Sequence, residues 1–231
     1  MPSTAALKML AGGGMTAPLN ALAPAFEAAS GRKVEIVFAA TPELIRLAVS
    51  GAPFDLAVAP ADVFRNAKAR AMFTAGPIVG IARVGFGVAV RAGAPKPDLS
   101  TPDTFRQALL AARSVALLPE SAAGAYVLSV FARLGIAEAM KARTLPQTAP
   151  AAIAQAVARG EAELGIFLSN VLVAPGVDYV GPFPGELQQP LRFEGAIAAA
   201  SAHAAAAQAF LDYLQSPQAK AVIAARGMTA G

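Results

Sequence analysis

The chain has 231 residues, enough for one large domain or for two smaller lobes that each bury a core. Hydrophobic residues make up 55% of the sequence and charged residues 15%, a composition typical of a folded globular protein and not of a disordered one. The net charge is only +4 and the basic residues are scattered, which excludes the basic stripe of a nucleic-acid-binding protein. The absence of cysteine excludes disulfides, thiolate metal sites and cysteine nucleophiles.

Three consecutive glycines, Gly12–Gly14, separate the first apolar run from a helical pattern. The pattern predicts a strand over 8–11 and a helix over 18–30, with Pro18 in its first turn and Gly31 just past its end. Glycine lets the main chain turn sharply and approach a ligand, and the first N–H groups of a helix lack acceptors. The segment therefore predicts a cradle for a small anion or carboxylate. The alternative is a plain turn between a strand and a helix.

The next segments alternate between strand and helix patterns, which predicts right-handed crossovers and a parallel sheet. The strands are expected over 34–38 and 55–59, with a helix over 42–50 between them. A second α/β unit and two final helices follow, with helices over 101–112, 122–134, 151–159, 202–214 and 217–226, and strands over 114–118 and 164–167.

Two extended segments, 78–91 and 191–199, have no helix within them and link the two units. We therefore expect an α/β fold of two lobes, each a mostly parallel sheet flanked by helices, joined by a two-strand hinge. Lobe I is expected to hold residues 1–80 and 191–231, and lobe II residues 81–190. Ligands of open parallel sheets lie at the carboxyl ends of the strands, so the loops of both lobes are expected to face a shared cleft.

The single histidine, His203, precedes an alanine-rich helix, which favours a surface or capping role over a catalytic one. A Ser-His-Asp catalytic site is therefore not expected. Neither a cofactor nor a metal site is predicted.

Several segments, in chain order, resemble the molybdate-binding branch of the type II periplasmic solute-binding proteins, a branch similar also to aconitate-isomerase-like proteins. They are the glycine run up to Thr16 and the segments 38–44, 51–59, 119–126, 164–167 and 210–219. The resemblance implies the type II periplasmic binding protein fold, in which two lobes close like a hinge on an oxyanion held by hydroxyl and backbone N–H groups. Carried over by position, the two family serines fall on Gly14 and Thr41, the backbone donors on Ala123 and Gly124, and the family tyrosine on Leu168.

Only Thr41 among these positions keeps a side-chain hydroxyl, so the implied site is roomier and less polar than an oxyanion site. We therefore expect a small organic carboxylate as the ligand in place of molybdate, with Arg83 as its counter-charge. Thr16 and Thr41 have an alternative role as helix caps, and Ser169 with Asn170 as a turn or cap. The residues expected to bind the ligand are Gly13, Gly14, Met15, Thr16, Thr41, Arg83, Ser121, Ala123, Gly124, Ser169 and Asn170.

The resemblance leaves two functions open. The first is a solute-binding protein of ABC-transporter type, or a cytosolic relative, with a small anionic ligand and an importer permease as partners, and with no nucleic acid and no insertion into a membrane. The alternative is an aconitate-isomerase-like enzyme that moves a double bond in a small di- or tricarboxylate. In that case Glu43 or Asp62 is expected to act as the base and Arg83 as the carboxylate clamp.

The chain enters its first predicted strand soon after Met1, which leaves no room for an export signal in this sequence. No run of 18 or more apolar residues is present to span a bilayer. The expectation is a cytoplasmic protein if Met1 is the native start and a periplasmic one if an export signal has been removed.

Overall fold

In the computed structural model, which describes residues 5–231, the chain divides into two units. Unit 1 holds the described residues up to Arg83 together with Arg192–Gly231, and unit 2 holds Val84–Leu191. The chain therefore leaves unit 1 once and returns to it once.

Strands and helices alternate along most of the chain. The elements before the chain enters unit 2 are β1 (Leu7–Gly12), a 3-10 turn (Gly13–Met15), α1 (Thr16–Ser30), β2 (Val34–Ala39), α2 (Thr41–Val49), β3 (Leu56–Pro60), α3 (Ala61–Arg65), α4 (Ala67–Arg70) and β4 (Val79–Val84). Those of unit 2 are β5 (Phe86–Arg91), α5 (Pro102–Ala111), β6 (Val115–Leu117), α6 (Ala122–Arg133), α7 (Ala137–Lys141), β7 (Thr144–Pro146), α8 (Pro150–Ala158), β8 (Leu164–Leu168), α9 (Ser169–Leu172), β9 (Val177–Pro182) and a 3-10 turn (Gly185–Leu187). The chain ends with β10 (Leu191–Ile197), α10 (Ala204–Leu214), α11 (Pro217–Ala225) and β11 (Thr229–Ala230).

Each unit contains one mixed β-sheet. In unit 1 the strand order is β11-β4-β10-β3-β1-β2, with β1 parallel to both of its neighbours and β10 antiparallel to β3. In unit 2 the order is β7-β6-β8-β5-β9, with β6 parallel to β7 and β8, and β5 antiparallel to β8 and β9. The predicted α/β architecture of two sheets flanked by helices is confirmed. Three parallel strands form part of each sheet, and the antiparallel strands extend it.

The extended segment predicted over 78–91 is two strands, β4 and β5, separated by Gly85. The side chain of Gln188 accounts for this break, because its Oε1 accepts from the Phe86 N–H and its Nε2 donates to the Phe86 carbonyl, both at 2.8 Å. A Cβ at residue 85 would lie 3.1 Å from Gln188 Nε2. Glycine therefore leaves room for a side-chain amide that takes the place of a strand partner.

Aromatic side chains form the centre of each core. In unit 1, Phe26 of α1 meets Phe210 of α10 edge to face, with ring centroids 4.8 Å apart. In unit 2, Phe183 packs between Phe86 and Phe105, at 5.6 and 5.0 Å. Such pairs add specific geometry to the burial of apolar area. No helix of the described chain combines the length and the apolar character needed to cross a membrane.

Candidate functional site

The carboxyl ends of three parallel strands meet at one edge of the unit 1 sheet. β1 ends at Gly12, directly opposite the end of β2 at Ala39, and β3 runs parallel beside β1 and ends at Pro60. The loops that follow lead into α1, α2 and α3. We call this place the unit 1 edge. It brings together a set of predicted residues that are far apart in sequence: Gly13, Gly14, Met15, Thr16, Thr41, Glu43 and Asp62.

The glycine run folds as a tight turn at the unit 1 edge. A Cβ at Gly12 would lie 2.8 Å from Phe193 Cε1 and 2.9 Å from Pro60 Cδ, so only glycine allows β1 to end so close to its neighbours. Met15 is fully buried in the core, so only its main chain can serve a ligand. The N-cap residue of α1 is Met15, so the alternative role of Thr16 as a helix cap is wrong. The Thr16 hydroxyl instead donates to the Gly13 carbonyl at 2.8 Å and closes the turn.

Thr41 is a buried hydroxyl at the second loop of this edge, with only 8% of its surface exposed. The alternative role of Thr41 as a helix cap is wrong. The N-cap residue of α2 is Ala40, which has the extended backbone of that position, and Thr41 begins the helix beside Pro42. Its hydroxyl remains a predicted ligand contact at the second loop of the unit 1 edge.

The two carboxylates of the enzyme alternative differ in their surroundings. Both oxygens of Glu43 accept from Arg46, at 2.7 Å from Nε and 2.5 Å from Nη2. These hydrogen bonds lower the pKa of Glu43 and make it a weaker base. Among the described residues, the carboxylate of Asp62 has one ion contact, at 3.8 Å from the Arg65 guanidinium. Asp62 is therefore the better placed of the two to accept a proton.

Arg83 is an exposed residue of β4, opposite Thr229 of β11. No hydrogen bond or ion pair within the described part of the chain holds its guanidinium. An exposed arginine without a carboxylate partner is suited to bind a carboxylate in two-point geometry.

A second set of predicted residues lies at one edge of the unit 2 sheet. β6 and β8 are parallel and end at this edge, and the antiparallel β5 begins there, with Phe86 opposite Leu168. We call this place the unit 2 edge. The helices that start from it, α6 and α9, carry the remaining candidates: Ser121, Ala123, Gly124, Ser169 and Asn170.

Two of the predicted donors at the start of α6 already make hydrogen bonds within the protein. The Ser121 hydroxyl donates to the Leu118 carbonyl at 2.8 Å and accepts from the Gly124 N–H at 2.9 Å. The side chain of Ser121 and the N–H of Gly124 are thus engaged in capping the helix. The N–H of Ala123 also belongs to the first turn, where the helix itself offers no acceptor.

The start of α9 presents a hydroxyl at the unit 2 edge. The Ser169 N–H donates to the Gly85 carbonyl at 2.9 Å, while its hydroxyl makes no hydrogen bond to any residue that the structure describes. Asn170 follows it, partly exposed. Leu168 is buried, with 1% exposed, so the position of the family tyrosine adds no polar group.

A buried polar cluster in unit 1 was not predicted from the sequence. Asp55 is 5% exposed and accepts from the Lys8 N–H at 2.9 Å and from the Ser201 hydroxyl at 2.7 Å, with His203 Nδ1 at 3.2 Å. Burial alone would raise the pKa of Asp55, but these hydrogen bonds hold the pKa below its ordinary value. The only available signal was an aspartate directly before a buried strand.

This cluster has a structural role. It lies at the amino-terminal end of β3, away from the unit 1 edge, and ties β1 and β3 to the segment after β10. The Ser201 hydroxyl donates to Asp55 and not to His203, so the three residues do not form a nucleophile relay. His203 precedes α10 as expected, but its side chain makes no cap and turns to Asp55.

A pocket of about 540 Å³ lies on unit 2 at the amino-terminal ends of β6 and β8. Its walls include Arg91, Arg113 and Glu163, and none of the predicted site residues lines it. Within residues 5–231, no group of three or more His, Cys, Asp or Glu side chains is placed to hold a metal ion.

Comparison with known proteins gives relatives over nearly the whole chain. The family model of the bacterial extracellular solute-binding proteins matches residues 7–229. An aconitate isomerase from a Pseudomonas species is 36% identical over 232 residues, covering 96% of this chain and 87% of the relative. The molybdate-binding protein ModA of Azotobacter vinelandii is 29% identical over 230 residues, covering 92% and 85%.

A solved structure supports the same fold. The periplasmic molybdate-binding protein of Azotobacter vinelandii superposes with a TM-score of 0.78 at 22% identity, covering 96% of this chain and 98% of that one. The family match and this fold agree with the unit 1 edge and the unit 2 edge, where loops follow the ends of parallel strands. The chain belongs to the bacterial extracellular solute-binding protein family, in its molybdate-binding-like type II branch.

Proposed function

We propose that this chain binds a small organic di- or tricarboxylate through donors of the unit 1 edge and the unit 2 edge and through the guanidinium of Arg83. The observation that carries the proposal is the changed donor set. Gly14 and the buried Leu168 stand where the family resemblance places a serine and a tyrosine, while Arg83 offers an exposed guanidinium. The family resemblance implies that two lobes, expected over 1–80 with 191–231 and over 81–190, close on the ligand.

The chemistry of the remaining donors favours carboxylates over a bare oxyanion. A dianionic oxyanion removed from water needs a full shell of donors around one centre. The polar side chains at the predicted positions include the hydroxyls of Thr41 and Ser169 and the guanidinium of Arg83. A di- or tricarboxylate carries its charges on separate groups, so scattered donors can each serve one carboxylate.

Replacing Arg83 with glutamine is the first test. We expect the dissociation constant for trans-aconitate or citrate, measured by isothermal titration calorimetry, to rise about thirtyfold, because a charged hydrogen bond is worth about 2 kcal/mol. Arg226→Gln, at an exposed position after α11, is the matched control and should leave the constant unchanged. Tight binding of molybdate without binding of either polycarboxylate would contradict the proposal.

As a solute-binding protein, the chain is proposed to work outside the cytoplasm and to deliver its ligand to an ABC importer permease. A cytosolic relative would keep the ligand chemistry without that partner. Co-purification with a permease complex in detergent, with and without trans-aconitate, distinguishes the two settings.

A second function is favoured by the aconitate isomerase relative at 36% identity. We propose as the alternative that the chain moves the double bond of a bound tricarboxylate. A base takes a proton from one carbon, the electron pair shifts the double bond, and the proton returns to the other end of the three-carbon unit. Asp62 is the proposed base and Arg83 the clamp that stabilises the developing negative charge.

The alternative is tested by incubating the protein with trans-aconitate and following cis-aconitate by NMR. If the chain is an isomerase, Asp62→Asn should slow conversion about a hundredfold, since general base catalysis contributes at least that much. Glu43→Gln is the comparison variant and should have little effect, because Arg46 already occupies both oxygens of Glu43. If the unaltered protein converts no trans-aconitate, the isomerase alternative is rejected and only the binding function remains.

A further inference from the structure

The three tyrosines of this chain differ in what their hydroxyl groups do. Tyr126 donates to the Leu187 carbonyl at 2.9 Å, and Tyr213 donates to the Leu22 carbonyl at 3.4 Å. The hydroxyl of Tyr179 makes no hydrogen bond to any described residue, and the residue is partly exposed. Tyrosine hydroxyls usually make a hydrogen bond, so this one can take a partner outside the protein.

The ring of Tyr179 lies along β5 in the direction of the unit 2 edge. Tyr179 pairs with Ala89, yet its ring covers Gly87, two residues nearer the start of β5. A Cβ at residue 87 would lie 2.5 Å from Tyr179 Cε2 and 2.6 Å from the hydroxyl oxygen. Glycine at 87 therefore makes room for this ring, and the next residue, Phe86, pairs with Leu168 at the end of β8.

We propose that the Tyr179 hydroxyl donates a hydrogen bond to a carboxylate of the ligand. Tyr179 would thereby supply, from β9, the phenol that the family resemblance places at the position of Leu168. This inference rests on the proposed function and names one further residue that determines its specificity.

A phenol in this place selects for an anionic acceptor. Burial raises the pKa of Tyr179, so the group stays protonated and remains a donor at neutral pH. A neutral donor facing a carboxylate forms a charge-assisted hydrogen bond, which is stronger than one to a neutral oxygen. Tyr179 thus favours a ligand with a carboxylate over an ester or amide of the same shape.

The three Tyr→Phe variants test this inference against each other. We expect Tyr179→Phe to weaken binding of trans-aconitate about tenfold by calorimetry, the loss of one hydrogen bond to a charged group. Tyr126→Phe and Tyr213→Phe serve as matched controls and should bind as the unaltered protein does. The chain has no tryptophan, so its near-ultraviolet difference spectrum on binding comes largely from three tyrosines. The tyrosine part of that spectrum should vanish only in Tyr179→Phe.

The outcomes separate this inference from the proposed function. If the unaltered protein binds and Tyr179→Phe shows the same affinity and the same difference spectrum, the role of Tyr179 is overturned and the proposed function stands. Absence of binding by the unaltered protein, with trans-aconitate and with citrate, overturns both. A tenfold loss confined to Tyr179→Phe, together with the lost spectral change, supports both.

Discussion

Replacing Gly124 with alanine is expected to lower the free energy of unfolding by about 3 kcal/mol, at the upper end of the usual cost of overpacking. A Cβ at residue 124 would lie 1.9 Å from the Leu118 carbonyl oxygen and 2.8 Å from Pro119 Cα. These are main-chain atoms, so no side-chain rotation relieves the clash. The better helix propensity of alanine, worth up to about 1 kcal/mol, offsets only part of the loss. Urea denaturation followed by circular dichroism measures the change.

The matched control for this prediction is Gly80→Ala. Gly80 is an exposed residue of β4 whose Cβ would meet no atom within 4 Å, so its replacement should change the free energy of unfolding by less than about 0.5 kcal/mol. Equal stability of the two variants would mean that the start of α6 shifts freely away from Leu118. The Gly124 variant should also bind the ligand more weakly, because the N–H of Ala123 lies in the displaced turn.

The parts of the fold predicted well from sequence are those with local signals. The strand at β1, the glycine turn and α1 with Gly31 as its left-handed end all follow from residues within about 25 positions of each other. The short elements α7, β7 and β9 were missed, because runs of three to six residues carry little periodicity. β9 also lies in a stretch rich in proline and glycine, which predicts a loop.

Contacts between residues far apart in sequence could not be predicted at the site. The break between β4 and β5 depends on Gln188, which is 102 positions from Phe86 in sequence. The alternative role of Thr41 as a helix cap is wrong by one position, because the extended residue before α2 is Ala40. The predicted bases could not be ranked from sequence, because the double contact between Glu43 and Arg46 depends on side-chain geometry.

Replacing Asp55 with alanine is expected to lower the free energy of unfolding at neutral pH by about 3 kcal/mol, the cost of removing a buried charged acceptor from its donors. The Lys8 N–H and the Ser201 hydroxyl both donate to this carboxylate, from positions 47 and 146 residues away in sequence. Its loss leaves these two donors, in partly buried hydrogen bonds, without their acceptor and loosens the tie between β1, β3 and the segment before α10. Asp212→Asn, on the exposed face of α10, is the control and should cost less than about 0.5 kcal/mol.

The effect of Asp55 should depend on pH in a direction fixed by its pKa. The folded structure holds the pKa of Asp55 below its value in the unfolded chain, so the unfolded state binds a proton more readily. The stabilisation is therefore complete above the unfolded pKa, about 3.9, and is lost as pH falls through the lower folded pKa. Unfolding curves measured from pH 7 down to pH 3 should show the difference between Asp55→Asn and the unaltered protein as constant above about pH 5 and shrinking below about pH 4. A difference that stays constant over the whole range would mean that packing of the side chain, and not its charge, holds the three segments together.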